Sequence, residues 1–147
     1  MKRFFTILAS LCLCSCLWAQ VSLDDVVKRL YLNRIEAEFS CKYNTGKAVL
    51  SYKGSVTAQG NCFVSNINGV ESYCNSERLV MLDKENQEAY IEKAYGLEEY
   101  FKANIKNISD LQFHSLRFLD KSDDMSAFEV DTKSLGKDWV ITDLRQE

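Results

Sequence analysis

Apolar and polar residues alternate along much of the chain between residues 35 and 93, and this pattern predicts a β-sheet protein. In the segment 35–43, five apolar residues alternate with charged or polar ones. A period of two is typical of a strand with one buried face and one solvated face. Further strands are predicted at residues 48–53, 56–66, 70–74, 79–82 and 88–93.

Turn-forming residues separate these strands by only a few positions. Asn68-Gly69 is a strong signal for a short β-hairpin, and residues 44–47 and 83–87 are polar segments typical of turns. Gly54 indicates a bend or a bulge within its strand. Because short connections join antiparallel neighbours, these strands are predicted to form a meander.

Two segments with helical spacing lie on either side of the meander. The first, residues 22–31, begins with Ser22 as a candidate cap and has Asp24 and Asp25 in its first turn, where carboxylates favour the helix dipole. The second covers residues 97–104. Three strand-like pieces follow, at residues 112–120, 126–132 and 138–144.

These elements predict an α+β fold in which one antiparallel sheet must cover its apolar face with few helices. The pattern alone leaves two alternatives open for that face. Its residues could form a filled core. They could instead leave a partly filled concave surface, which would suit a lipid or an acyl chain because ligand pockets are mostly apolar and largely preformed.

The start of the chain has the pattern of a secretory signal peptide. Lys2 and Arg3 precede an apolar run, and Ala19 is a small residue suited to cleavage. We therefore predict a signal peptide at residues 1–19 and a single exported domain at residues 20–147.

A second interpretation of the same segment is a lipid anchor. Leu13-Cys14-Ser15-Cys16 resembles a lipobox, in which a small residue precedes a cysteine that becomes lipidated. Cleavage before Cys16 would leave the chain anchored to a membrane without spanning it.

Charge narrows the range of partners. The formal net charge is -3, and no run of Lys or Arg is longer than two residues. A mildly acidic chain without a basic stripe argues against nucleic acid as a partner, because binding to phosphates depends on clustered cations. We expect a monomer.

Three cysteines lie outside the leader, at Cys41, Cys62 and Cys74. Export permits disulfides, and a hairpin turning at Asn68 would bring Cys62 near Cys74. A shift of one residue in register would place their side chains on opposite faces of the sheet, so a bridge between them stays a hypothesis. The three cysteines are too dispersed, with too few histidines, for a zinc site.

The sequence offers little catalytic chemistry. His114 is the single histidine, and no local signature pairs it with a nucleophile. No glycine-rich phosphate loop or metal-binding motif is present. We therefore expect a protein that is not an enzyme and uses neither a metal nor a cofactor.

Four segments carry a resemblance to a known family. They are the alternating strand 35–40, the glycine-containing strand 54–63, the apolar strand 79–83 that follows the turn Asn75-Ser76, and the closing segment 138–145. In this order they resemble the LolA-like family of outer-membrane lipoprotein carriers, and the resemblance covers most of residues 22–145.

The resemblance implies a strongly curved antiparallel sheet, an incomplete β-barrel, with a few helices covering its concave face. It also implies a periplasmic carrier or chaperone that binds lipoprotein acyl chains, or another lipophilic ligand, and moves them toward the outer membrane. Sorting proteins of the inner and outer membranes would be its partners. The alternative function is a non-catalytic binding module of the cell envelope, lipid-anchored at Cys16 if the lipobox is used.

Apolar and aromatic residues of the predicted strands are the candidates for the cavity wall. They are Phe39, Leu50, Tyr52, Val56, Ala58, Phe63, Leu79, Met81 and Tyr90. Many members of the family carry an Arg-Pro pair in the strand that matches Gln59-Gly60, and this chain has neither residue there.

Overall fold

A computed structural model describes residues 22–145 of the protein. The predicted signal peptide and Cys16 lie outside the described residues. Eight strands form a single sheet: β1 (Arg34–Asn44), β2 (Val49–Gln59), β3 (Cys62–Ile67), β4 (Val70–Cys74), β5 (Arg78–Asp83), β6 (Glu88–Lys93), β7 (Ile108–Leu119) and β8 (Val140–Asp143). Two helices, α1 (Leu23–Arg29) and α2 (Leu97–Asn104), complete the regular structure together with three short 3₁₀ turns.

The strands lie side by side in the order β7-β1-β2-β3-β4-β5-β6-β8, and the sheet does not close on itself. This arrangement confirms the predicted α+β class and the meander from β1 to β6. The prediction of a purely antiparallel sheet is wrong at one edge, because β6 and β8 pair in parallel. A long connection from β7 crosses the sheet before β8 begins, and such a crossover allows parallel pairing.

The segment predicted as a strand at residues 126–132 does not join the sheet. It contains the 3₁₀ turn Ser126–Phe128 and leads into another, Thr132–Ser134. Side chains satisfy backbone groups here: Arg78 Nη2 donates to the Val130 carbonyl at 2.9 Å, and the Asp131 carboxylate accepts from the Lys133 amide at 2.9 Å. These bonds satisfy groups that a strand would pair with a neighbour.

Helix α1 begins with the cap that the sequence predicts. The Ser22 hydroxyl accepts from the Asp25 amide at 3.2 Å, and the Asp25 side chain accepts from Ser22, which forms a capping box. These hydrogen bonds to Ser22 lower the pKa of Asp25. Neither helix within residues 22–145 is long and apolar enough to cross a membrane.

The apolar core has two parts on opposite faces of the sheet. On the face that we call the inner face, both helices pack against strands β1–β5 and β7. On the outer face, the chain after β7 contributes Val130, Leu135 and Trp139, which cover β5 and β6. The continuous apolar run 79–82 is explained by this arrangement, because β5 is buried on both faces.

Gly54 lies where the backbone of β3 leaves no room for a side chain on β2. A Cβ atom added to Gly54 would lie 2.1 Å from the backbone oxygen of Asn66 and 2.9 Å from Cα of Ile67. Because backbone atoms cannot rotate away as a side chain can, only glycine fits this position without a shift of β3.

We expect Gly54→Ala to lower the free energy of unfolding by about 1–3 kcal/mol or more, the usual cost of overpacking. Gly96→Ala is the matched control, because a Cβ atom there would meet its nearest neighbour at 3.7 Å, an ordinary contact. Urea titration followed by circular dichroism measures both variants. Equal stability of the two variants would contradict the close approach of β2 and β3.

Candidate functional site

An apolar cavity lies between the inner face of the sheet and the two helices. Its volume is about 90 Å³. Its lining residues come from α1, α2 and three adjacent strands: Val26, Leu30, Ile35, Ala37, Phe39, Cys41, Val56, Ala58, Leu97, Ile108, Leu111 and Phe113. No charged side chain is among them, so the cavity provides an environment for hydrocarbon and none for an ion.

Helix α1 is held over the cavity at its C-terminal end. The Gly60 amide donates to the Leu30 carbonyl at 2.7 Å, which ties the helix to the turn between β2 and β3. The Tyr31 hydroxyl reaches Asn61 Oδ1 at 3.4 Å and Glu98 Oε2, at the start of α2, at 3.5 Å. The two hydrogen bonds of the Tyr31 hydroxyl are long and exposed to solvent, so each is weak. Apolar packing therefore holds most of the cover over the cavity.

The last residue of α2 and the 3₁₀ turn that follows it are hydrogen-bonded to β1 at the opposite end of the sheet. The Tyr43 hydroxyl donates to Asn104 Oδ1 at 2.8 Å and accepts from Asn107 Nδ2 at 3.4 Å. Tyr43 also contacts Tyr52, with ring centroids 6.0 Å apart. Polar side chains therefore close this end of the inner face beyond the apolar cavity.

Three of the nine residues proposed from the sequence line the cavity: Phe39, Val56 and Ala58. Phe63, Leu79 and Met81 belong to the apolar cluster of the inner face but do not line the cavity.

The other three candidates lie elsewhere. Leu50 is 41% exposed, near the start of β2. Tyr52 contacts Tyr43, and the Tyr90 hydroxyl donates to Glu88 at 2.7 Å. None of the three lines the cavity.

Nine of the twelve residues that line the cavity were not among the candidates predicted from the sequence. The helical contributions are Val26, Leu30 and Leu97, and their helical spacing was the available signal. The remaining missed residues come from the alternating strands: Ile35, Ala37, Cys41, Ile108, Leu111 and Phe113. The alternation of apolar and polar residues predicts the face of the sheet on which a residue lies. It does not predict which residues of that face a helix covers and which remain open to the cavity.

Gln59, in the segment where the resemblance to the LolA-like family leads one to expect an Arg-Pro pair, lies on the outer face. Its side chain is buried, with Nε2 donating to the Ser122 carbonyl at 2.8 Å and Oε1 accepting from the Ser122 amide at 3.0 Å. Oε1 also accepts from Arg34 Nε at 3.2 Å. Gln59 therefore fixes the chain after β7 to the outer face and does not contact the cavity.

The hypothetical bridge between Cys62 and Cys74 is not formed, and Cys41, Cys62 and Cys74 are free thiols. The register places Phe63 opposite Cys74, and it places Cys62 opposite Gln59. Alternation along β3 therefore directs Cys62 away from the face that carries Cys74. Within residues 22–145, no group of three or more His, Cys, Asp or Glu side chains is placed to hold a metal ion.

A scan against protein-family models finds no match to this chain, and a search of curated protein sequences finds no significant match either.

Burial raises the pKa of all three thiols, Cys41, Cys62 and Cys74. Because the thiolate is the reactive form, we expect slow alkylation of the folded protein. Cys62 is half-buried and Cys74 is fully buried, so Cys62 should react first. Iodoacetamide labelling followed by peptide mapping measures the order. Faster labelling of Cys74 than of Cys62 in folded protein would contradict the register of β3 and β4.

Proposed function

We propose that this protein is a carrier that binds acyl chains of lipoproteins, or another lipophilic ligand, between its sheet and its helices, and moves them through the periplasm toward the outer membrane. The observation that carries the proposal is the wholly apolar lining of the cavity under two short helices. The resemblance to the LolA-like family supports it, since that family implies an incomplete barrel with helices over its concave face.

The cavity must enlarge to admit a complete acyl chain. Its volume of about 90 Å³ is below the roughly 300–1,000 Å³ of most ligand pockets. Helices α1 and α2 are only 7 and 8 residues long, and helices of this length depend on tertiary packing for their stability. Displacement of a helix from the inner face is therefore the expected route of entry.

The free energies of burial permit an acyl chain to replace the contacts of a helix. Burial of a side chain such as Val26, Leu30 or Leu97 contributes roughly 1.5–3 kcal/mol, so uncovering all three costs about 5–9 kcal/mol. A buried methylene contributes about 0.8 kcal/mol, so a dozen contribute about 10 kcal/mol. A long acyl chain can thus replace the helix contacts, whereas a short one would not offset their loss.

The chemistry of the lining also limits the ligand. No charged side chain of the cavity can pair with a headgroup, and an unpaired ion would be costly to bury. Only the hydrocarbon part of the ligand enters, and its polar part stays at the surface. Sorting proteins of the two membranes would deliver and remove the ligand.

A non-catalytic binding module of the cell envelope, anchored through Cys16 if that residue is lipidated, is the alternative. The small volume of the cavity favours it, because a nearly filled core has no need of a ligand. In that case α1 and α2 would be permanent parts of the core.

We expect Val56→Phe to fill the cavity and weaken the binding of a fluorescent palmitoylated peptide at least tenfold. Val56 lines the cavity, and the larger ring would occupy the space of the acyl chain. Leu50→Phe is the matched control on the same strand, because Leu50 lies outside the cavity and is exposed. Fluorescence anisotropy gives both dissociation constants.

Thermal unfolding of both variants separates loss of the site from loss of the fold. Cavity filling is compatible with an unchanged or higher melting temperature. Equal affinity of the two variants would contradict the carrier proposal, and absence of peptide binding by the unmodified chain would favour the binding module.

A further inference from the structure

The outer face of strands β7, β1, β2 and β3 carries an open groove, which shares only Phe39 with the lining of the cavity. Its volume is about 670 Å³, and Glu38, Lys53, Asn66 and His114 are among its lining residues. The groove is open to solvent, and the function proposed above makes no use of it.

A β-bulge in β7 directs the His114 side chain toward the adjacent strand β1. Ser115 pairs with Glu38 and Phe113 pairs with Phe39, so His114 is the extra residue between them. A bulge re-aims a side chain relative to the regular sheet. Nε2 of His114 consequently lies 2.8 Å from Oγ of Ser40 on the adjacent strand.

Lys53 lies on the other side of Ser40. The register pairs Ser40 of β1 with Lys53 of β2, and directly opposed residues have Cβ atoms about 4.5–5.5 Å apart. Among the described residues, no carboxylate forms an ion pair with Lys53. A base, a hydroxyl and an unpaired ammonium thus follow one another across three neighbouring strands.

We propose that Ser40, His114 and Lys53 form a second, nucleophilic site that hydrolyses accessible carboxylic esters. Ser40 Oγ attacks the ester carbonyl carbon while its proton passes to His114 Nε2, and the Lys53 ammonium stabilises the oxyanion. The tetrahedral intermediate collapses to an acyl-serine, and His114 returns its proton to the departing alkoxide. Water, deprotonated by His114, then attacks the acyl-serine and releases the carboxylic acid and free Ser40.

Ser40 lies beside the groove, in an adjacent open depression that Lys53 also lines, and this exposure defines the substrate class. Because the site does not exclude water, it lacks the strong electrostatic stabilisation of a closed site, and esters with good leaving groups are its expected substrates. This activity goes beyond the proposed carrier function. An experiment can contradict the esterase activity without contradicting the carrier function, and the reverse, because Ser40 and His114 do not line the cavity.

The test uses the full chain and a fluorophosphonate, which forms a stable adduct with an activated serine. We expect the adduct on Ser40 by peptide mapping and none in Ser40→Ala. His114→Gln should slow labelling by about 10²-fold or more, the usual contribution of a general base. Ser55→Ala is the matched control, because Ser55 lies on β2 and lines the groove with His114, whereas the hydrogen bond of His114 is to Ser40; its labelling rate should equal that of the unmodified chain.

Steady hydrolysis of p-nitrophenyl acetate provides the second readout. We expect it to fall to the background rate in Ser40→Ala and about tenfold in Lys53→Gln. Circular dichroism verifies that each variant is folded. Absence of an adduct on Ser40 in folded protein, or equal labelling with and without His114, would overturn the site. An unchanged hydrolysis rate in Lys53→Gln would overturn the role given to Lys53.

Discussion

The main constraint on this structure is that two short helices must cover a broad apolar face of the sheet. Strands β1–β5 and β7 all contribute to the inner apolar cluster, and within the described residues its cover consists of α1, α2 and the short segment before α2 that carries Ala94 and Tyr95. A sheet whose apolar face is exposed would be unstable in water, so the two helices must spread over more surface than they can fill. A small apolar cavity remains between them and strands β7, β1 and β2.

The apolar part of the outer face is covered by a different kind of segment. Near β5 and β6, the chain after β7 supplies Trp139 and its neighbours as a second cover. Gln59 and Arg34 hold this segment through the Ser122 backbone and the Asp124 carbonyl, and the Arg34 guanidinium lies 5.1 Å from the ring centroid of Phe128. A buried amide with several partners fixes one geometry. The outer cover is therefore anchored by specific polar bonds, whereas the inner cover rests mainly on apolar packing.

The difference between the covers bears on function. Apolar contacts are non-directional, so hydrocarbon from a ligand can replace those made by Val26, Leu30 and Leu97. A directional network such as that of Gln59 has no equivalent substitute in a lipid. In the proposed carrier, the inner cover is therefore the part of the fold that we expect an acyl chain to displace.

Local signals in the sequence predicted the sheet well because they act over short distances. Asn68 and Gly69 both adopt positive φ angles in the hairpin turn, as an Asn-Gly turn requires, and Ser22 caps α1 as expected. The strand β8 was predicted, at residues 138–144, but its parallel pairing with β6 could not be, since that pairing depends on where a long connection crosses the sheet. Phe39, Val56 and Ala58 were identified from alternation, but the place of Leu97 in the wall depends on how α2 docks.

Analysis of lipid bound to the protein tests the central claim most directly. The chain would be purified from its native cells without detergent and extracted with organic solvent. The extract would be analysed by mass spectrometry against a denatured control. The account predicts acyl-containing molecules in an amount approaching one per chain. Protein that carries no lipid, and that binds no acylated peptide when one is added, would contradict it.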